Sequence, residues 1–112
     1  RTMTAQQIID EFRPMVSDAT AVRWTDPAAI LLLCNALDEI WWRRRSASNL
    51  PSIPTTMPTK PSAVSSTVLI QDTYRVPIAH YMAYLAFLED SEDASNMKLA
   101  TTHYDLYEKG IG

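Results

Sequence analysis

A proline-, serine- and threonine-rich stretch at residues 46–67 divides this chain into two halves. Fourteen of its 22 residues are Ser, Thr or Pro, and its only charged residue is Lys60. Pro51, Pro54, Pro58 and Pro61 each lack a backbone N–H and restrict φ, which excludes helix and most sheet pairing. The stretch is therefore predicted to be one long extended loop, with regular structure on either side of it.

Two interpretations of this loop are open. A loop of this length without structure of its own is uncommon inside a compact domain, so it is either a disordered linker or an arm that becomes ordered on a neighbouring molecule. Its apolar residues favour the arm and are candidate protein-interface residues: Leu50, Ile53, Met57 and Val64. On this interpretation the loop is sensitive to protease until assembly orders it.

Two helices are predicted before the loop. The first begins at Thr4, where Thr4 and Gln7 have the spacing of a capping box, and ends at about Arg13 because Pro14 follows. The second starts after an N-cap at Thr25 or Asp26, with Pro27 in its first turn. Its apolar face has helical spacing and consists of Ile30, Leu33, Cys34, Leu37 and Trp41, opposite a solvated side of Asn35, Asp38 and Glu39.

Two more helices are predicted after the loop, preceded by a short β-like run at residues 68–70. Asp72 is the expected N-cap of the third helix, which carries Pro77 near its start and an apolar face of Ile78, Tyr81, Met82, Leu85 and Leu88. The fourth shows Met97, Ala100, Tyr104 and Tyr107 on one face and is expected to stop at Gly110. The chain is thus predicted to be all-α, a single domain at 1–112 with about four helices in a small bundle.

The sequence offers few candidate catalytic residues. The two histidines, His80 and His103, each lack a second ligand at helical spacing, so each is assigned a structural or surface role. The single cysteine, Cys34, lies in an apolar run and is predicted to be a buried, inert thiol. With only two glycines, both at the C-terminal end, a phosphate-binding glycine loop is excluded. We therefore expect no enzymatic activity, no cofactor and no metal.

The acidic residues between the third and fourth helices could in principle bind a hard cation, and they comprise Glu89, Asp90, Glu92 and Asp93. They lack the ligand spacing and the turn glycine of a calcium loop, so a solvated helix junction is the preferred interpretation.

Trp41 and Trp42 are followed by three arginines: Arg43, Arg44 and Arg45. Trp41 continues the apolar face of its helix, whereas Trp42 lies about 100° further round and cannot share that face fully. Three interpretations of Trp42 are open: it packs within the chain, it anchors a protein partner, or it stacks a nucleobase beside phosphate-binding arginines. The net charge of −3 gives no general electrostatic reason for a nucleic-acid or membrane partner.

Two segments resemble the head-to-tail adaptor proteins of bacteriophages. The first is Arg23-Trp24-Thr25-Asp26 with the helix containing Asn35-Ala36-Leu37-Asp38-Glu39-Ile40, which is similar to the family's opening helix. The second begins Asp72-Thr73-Tyr74-Arg75-Val76-Pro77-Ile78 and continues through His80-Tyr81 to the acidic junction and the His103-Tyr104 and Leu106-Tyr107 pairs. Its proline stands two residues after Arg75, whereas the family's follows the arginine directly. The resemblance covers residues 23–45 and 68–110.

The resemblance implies a structural virion protein at the head–tail interface, made in the host cytoplasm. Such adaptors are helical bundles that assemble as a ring, usually of about twelve copies, beneath the portal protein. The ring extends the DNA channel, so DNA passes through it without sequence-specific binding, and it docks tail proteins of the nozzle or tail tube. The alternative is a small helical module that binds nucleic acid or acts as a regulatory protein-interaction domain.

Overall fold

In the computed structural model, residues 3–16, 25–43, 60–89 and 94–111 are described. Four α-helices form this part of the chain: α1 (Ala5–Met15), α2 (Asp26–Arg43), α3 (Arg75–Glu89) and α4 (Ala94–Ile111). Two short strands, β1 (Met3–Thr4) and β2 (Thr67–Val68), and one turn of 3-10 helix (Asp72–Tyr74) complete it. The prediction of a small all-α bundle of about four helices is confirmed.

Helix α3 lies at the centre of the bundle, where it packs against α1, α2 and α4. Its buried positions include three alanines, Ala79, Ala83 and Ala86, whose small side chains let neighbouring helices approach closely. The larger side chains of the core come from all four helices and β1 and include Met3, Ile8, Phe12, Leu33, Ile40, Ile78, Met82 and Tyr107. One continuous apolar core therefore joins the two halves of the chain.

Helix α1 begins as predicted but ends two residues later. The backbone N–H of Thr4 donates to Gln7 Oε1 at 2.9 Å, which is one half of the capping box. The helix passes Arg13 and ends at Met15, so the predicted end is wrong. Its final turn is closed by a hydrogen bond from Val16 N–H to Arg13 O at 3.2 Å, which does not need the donor that Pro14 lacks.

The buried face of α2 lies to one side of the predicted stripe. Leu33, Leu37 and Trp41 are buried as expected, but Ile30 and Cys34 are only half-buried. The core positions instead include Ala29, Leu32, Ala36 and Ile40, while Leu31 is 64% exposed. The apolar run at residues 30–33 is too long to show which side turns inward, and contact with α3 and α1 decides it.

The starts and ends of α3 and α4 also differ from the predictions. Asp72 does not cap an α-helix: it begins the 3-10 turn, and α3 starts at Arg75 with Pro77 in its first turn. Helix α4 continues through Gly110 to Ile111, so the predicted stop at Gly110 is wrong. A Cβ added to Gly110 would lie 2.5 Å from Pro77 Cγ, so this glycine serves the close approach of α4 to α3.

The last part of the predicted arm, residues 60–67, packs on its own chain. Strands β1 and β2 pair antiparallel, with Met3 opposite Val68 and Thr4 opposite Thr67. The N–H groups of Ala5 and Gln6 donate to Ser66 O and Val64 O, both at 2.9 Å. Val64, assigned to an intermolecular arm, is half-buried against the core of its own chain. Val64 is positioned by backbone pairing between its segment and the start of α1. These two segments are about 60 residues apart in sequence, so the composition of the loop cannot reveal the contact.

The β-like run at residues 68–70 contributes only Val68 to a strand. Leu50, Ile53 and Met57 lie outside the described residues, as do Arg44, Arg45 and the acidic junction at residues 90–93.

Candidate partner-binding surface

The candidate surface lies on the side of α2 that faces away from the core. Leu31 and Trp42 are 64% and 69% exposed, the two most exposed large apolar side chains among the described residues. They are eleven positions apart. Eleven residues make three full turns of a helix plus about 20°, so the two side chains point in nearly the same direction. Asn35 and Asp38 fall between them on this face, so Leu31, Asn35, Asp38 and Trp42 define what we call the outer face of α2.

Trp41 and Trp42 behave as their helical positions predict. Trp41 is 3% exposed and belongs to the inner side of α2. Trp42 meets it edge to face, with ring centroids 4.9 Å apart and an interplanar angle of 81°. This contact orients the indole of Trp42 while leaving most of its surface in solvent. At 69% exposure, Trp42 is not part of the described core.

Arg43 forms a paired contact with α4. Its guanidinium donates to both carboxylate oxygens of Glu108, with Nη1 to Oε1 at 2.5 Å. The bidentate contact with Arg43 lowers the pKa of the Glu108 carboxyl below its usual range. The Arg43 guanidinium also lies 5.9 Å from the ring centre of Tyr107, within reach of a cation–π contact. Arg43 therefore connects α2 to α4.

A second contact between the same helices lies deeper. The phenol of Tyr107, which is fully buried, donates a hydrogen bond to Glu39 Oε2. Burial, and then this hydrogen bond to Glu39, raise the pKa of Tyr107. The neighbouring ring of Tyr81 has its centre 4.8 Å from that of Tyr107. Burial, with the nearby Glu39 carboxylate, raises the pKa of Tyr81 to about 12.

These side chains surround an open depression of about 630 Å³ next to Trp42, lined by Asn35, Asp38, Glu39, Trp42, Arg43 and Tyr81. Its wall carries two carboxylates, one guanidinium and two aromatic rings. An arrangement of this kind suits a partner that places an apolar side chain on Trp42 and donates hydrogen bonds at the rim.

Asp38 links this surface to the segment that follows the loop. Lys60 Nζ lies 2.6 Å from Asp38 Oδ2, and Cys34 Sγ lies 3.4 Å from the carbonyl oxygen of Pro61. Cys34, predicted to be buried, is half-buried, and burial raises the pKa of its thiol, which disfavours the thiolate.

The described ranges contain no group of three or more His, Cys, Asp or Glu side chains placed to hold a metal ion. They do bring His80 and His103, which are 23 positions apart in sequence, into contact. Within the same ranges, no helix is long and apolar enough to cross a membrane.

Comparison of the chain with protein-family models, with curated proteins and with solved structures gave no match.

Proposed function

We propose that this chain is a non-catalytic structural subunit that assembles as a bacteriophage head-to-tail adaptor. About twelve copies form a ring beneath the portal protein, extend the DNA channel and dock tail proteins. The adaptor identity depends on the resemblance of residues 23–45 and 68–110 to that family. A small helical bundle is the fold expected of such a subunit.

The observation that carries the proposal of a protein partner is the exposure of Trp42. A tryptophan that is 69% exposed but oriented by Trp41 offers a large apolar area at little entropic cost. The adjacent Arg43–Glu108 pair holds the polar rim in place before binding. Leu31 extends the apolar area about 16 Å along the same face of α2. Aromatic side chains surrounded by polar groups in this way are typical of the centres of protein interfaces.

The Arg43–Glu108 contact argues against the alternative of a nucleic-acid-binding module. Phosphate binding draws its affinity from free cationic side chains. The charge of Arg43 is already matched by a carboxylate on α4, and further carboxylates of Asp38 and Glu39 line the depression beside it.

The test is assembly on purified portal protein, observed by electron microscopy. We expect the wild-type chain to form a ring on the portal and Trp42→Ala to lose it, with an affinity at least about tenfold weaker. Leu106→Ala is the matched control, since it shortens an apolar side chain that is 40% exposed on α4. Circular dichroism establishes that both variants are folded.

Four outcomes decide the proposal. Loss of the ring with Trp42→Ala alone assigns the interface to the outer face of α2. Loss with both variants supports a ring interface that also includes α4. A folded wild-type chain that leaves portal rings undecorated, or a Trp42→Ala variant that assembles normally, contradicts the proposal.

A further inference from the structure

A hydrogen bond between two imidazole rings joins α3 to α4. The Nδ1 atoms of His80 on α3 and His103 on α4 lie 2.9 Å apart, within the range of a hydrogen bond. The ring centroids are 5.1 Å apart and the ring planes are inclined by 29°, so the two rings lie end to end along this bond. We call these two residues the histidine pair. They are the only histidines in the chain.

The hydrogen bond limits how many protons the histidine pair can hold. With both rings neutral, one Nδ1–H donates and the other Nδ1 accepts through its lone pair. A first added proton can bind at Nε2 of the donating ring, which leaves the hydrogen bond in place. A second must bind at the accepting Nδ1, where it removes the lone pair and leaves two cationic rings with their Nδ1–H groups facing each other. The contact therefore tolerates one added proton but not two.

The surroundings of the histidine pair provide no negative charge to offset the second proton. The ring of Phe87 lies nearly parallel to that of His103, with centroids 5.7 Å apart, and both imidazoles are half-buried. The nearest titratable residues along the two helices, Tyr84 and Tyr104, make a ring contact with each other, and phenols are uncharged at acidic pH. Among the described residues of all four helices, no carboxylate, lysine or arginine has a hydrogen bond or charge interaction with either imidazole.

Acid favours separation of the two rings. Burial lowers the pKa of both imidazoles below the ordinary value of 6.5, and the neighbouring His80 lowers the pKa of His103 further. Rings that have separated into water take up protons at the ordinary pKa, so the separated form binds more protons as the pH falls. The contact is therefore fully stable above pH 6.5 and weakens as the pH falls through 6.5 towards the lowered pKa values.

The position of the histidine pair decides which part of α4 depends on it. Between Met97 and His103, every described hydrogen bond or ring contact with α3 is made by His103. The C-terminal half of α4 is held separately, by the buried Tyr107 and by the packing of Gly110 against Pro77. Loss of the histidine contact can therefore free one half of α4 and leave the other half in place.

We propose that the histidine pair is an acid-sensitive latch, which holds the N-terminal half of α4 against α3 at neutral pH and releases it when both imidazoles are protonated. Release breaks the hydrogen bond between the two Nδ1 atoms and uncovers the ring of Phe87. It also exposes Ala100, the one buried side chain among residues 97–103. The latch is a property of the single chain and does not depend on the proposed adaptor function.

Hydrogen exchange followed by NMR on the full chain, at about pH 7.5 and about pH 5, tests the latch. Each amide's protection is taken relative to the unstructured rate at the same pH, which removes the intrinsic pH dependence of exchange. We expect the protection of residues 98–103 to fall at least about tenfold at the lower pH, because a short helical segment without packing is marginal in water. The protection of residues 107–110 should change less than about twofold.

His80→Gln and His103→Gln are the matched variants. Each leaves a single imidazole, to which the glutamine amide can still form a hydrogen bond, so two cationic rings can no longer face each other. In each variant the protection of residues 98–103 should differ less than about twofold between the two pH values. The carboxylates titrate in the variants as in the wild-type chain, so a tenfold fall in the variants would assign the effect to them and overturn the proposal.

The isotopically labelled wild-type chain gives a readout that does not depend on how the variants fold. Scalar coupling between the two Nδ1 atoms reports their hydrogen bond directly. We expect this coupling at about pH 7.5 and its loss at about pH 5, where the nitrogen shifts should show both rings protonated. Coupling that is absent at the higher pH, or that persists at the lower one, overturns the proposal. Wild-type protection that does not change, or that falls equally along the whole of α4, overturns it as well.

Discussion

At the scale of single residues, α2 and α4 are held together by polar side chains on α2 that meet partners about 65 positions later in the chain. Arg43 pairs with Glu108, and Glu39 accepts a hydrogen bond from the buried phenol of Tyr107. Such contacts contribute most to stability where water is excluded. Water is excluded around the buried Tyr107 but much less so around the exposed Arg43–Glu108 pair. They fix the geometry of the surface around Trp42 more than they add to stability.

The phenols of Tyr81 and Tyr107 are expected to make the folding stability fall at high pH. The pKa of Tyr81 is raised from 10.0 to about 12 in the folded chain. The unfolded chain therefore loses this proton first as the pH rises through 10, so the free energy of unfolding declines until about pH 12. Tyr107 acts in the same direction, because its pKa is also raised. Urea denaturation between about pH 8 and about pH 11 measures the decline.

Tyr81→Phe provides the control for this prediction. Phenylalanine keeps the ring but has no proton to lose, so the decline in stability above pH 10 should be shallower in the variant. Equal slopes for the variant and the wild-type chain would show that the phenol of Tyr81 ionises as readily in the folded chain as in the unfolded one.

At the scale of the helices, the closest approach joins the end of α4 to the start of α3. Gly110 lies against Pro77 there, with no room for a side chain between them. Pro77 is tolerated because it lies in the first turn of α3, where its missing N–H is not needed. The two residues that ordinarily interrupt helices thus face one another at the packed helix contact.

Gly110→Ala is expected to destabilise the chain, although alanine ordinarily stabilises a helix relative to glycine by about 1 kcal/mol. The new Cβ would meet Pro77 Cγ at 2.5 Å and Cβ at 2.9 Å, and overpacking of this kind costs about 1–3 kcal/mol. Thermal unfolding checks the sign. Lys109→Ala, at the exposed neighbouring position, should have little effect. A more stable Gly110→Ala variant would mean that α4 and α3 are further apart in solution.

At the scale of the whole molecule, the segment that follows the loop connects the first helix to the rest of the bundle. Residues 64–68 pair with residues 3–6 through the β1–β2 ladder and the two hydrogen bonds beyond it. Lys60 and Pro61 contact α2 at Asp38 and Cys34. A short helix such as α1 is marginal alone, so this docking, together with the core, keeps it folded.

Hydrogen exchange tests this docking in the free chain. The amides of Ala5 and Gln6 stand in the first turn of α1, where no helical carbonyl is available to them, and donate to Ser66 and Val64 instead. We expect both amides to exchange slowly, at a rate close to that of the core of α3. Exchange at the unprotected rate would indicate that residues 60–67 dock only after assembly, as the arm hypothesis proposed.

Local sequence pattern determined the helical class of this chain, the presence of four helices and the burial of Trp41. These features follow from the spacing of apolar residues and the positions of prolines. Both act over a few neighbouring residues and do not depend on long-range contacts. Tertiary structure alone decided that residues 60–67 pair with the start of α1, that Gly110 packs on Pro77 and that Arg43 meets Glu108. It also brought His80 to His103. Each of these joins residues more than 20 positions apart, and such partners are chosen by how the helices pack, which no local pattern specifies.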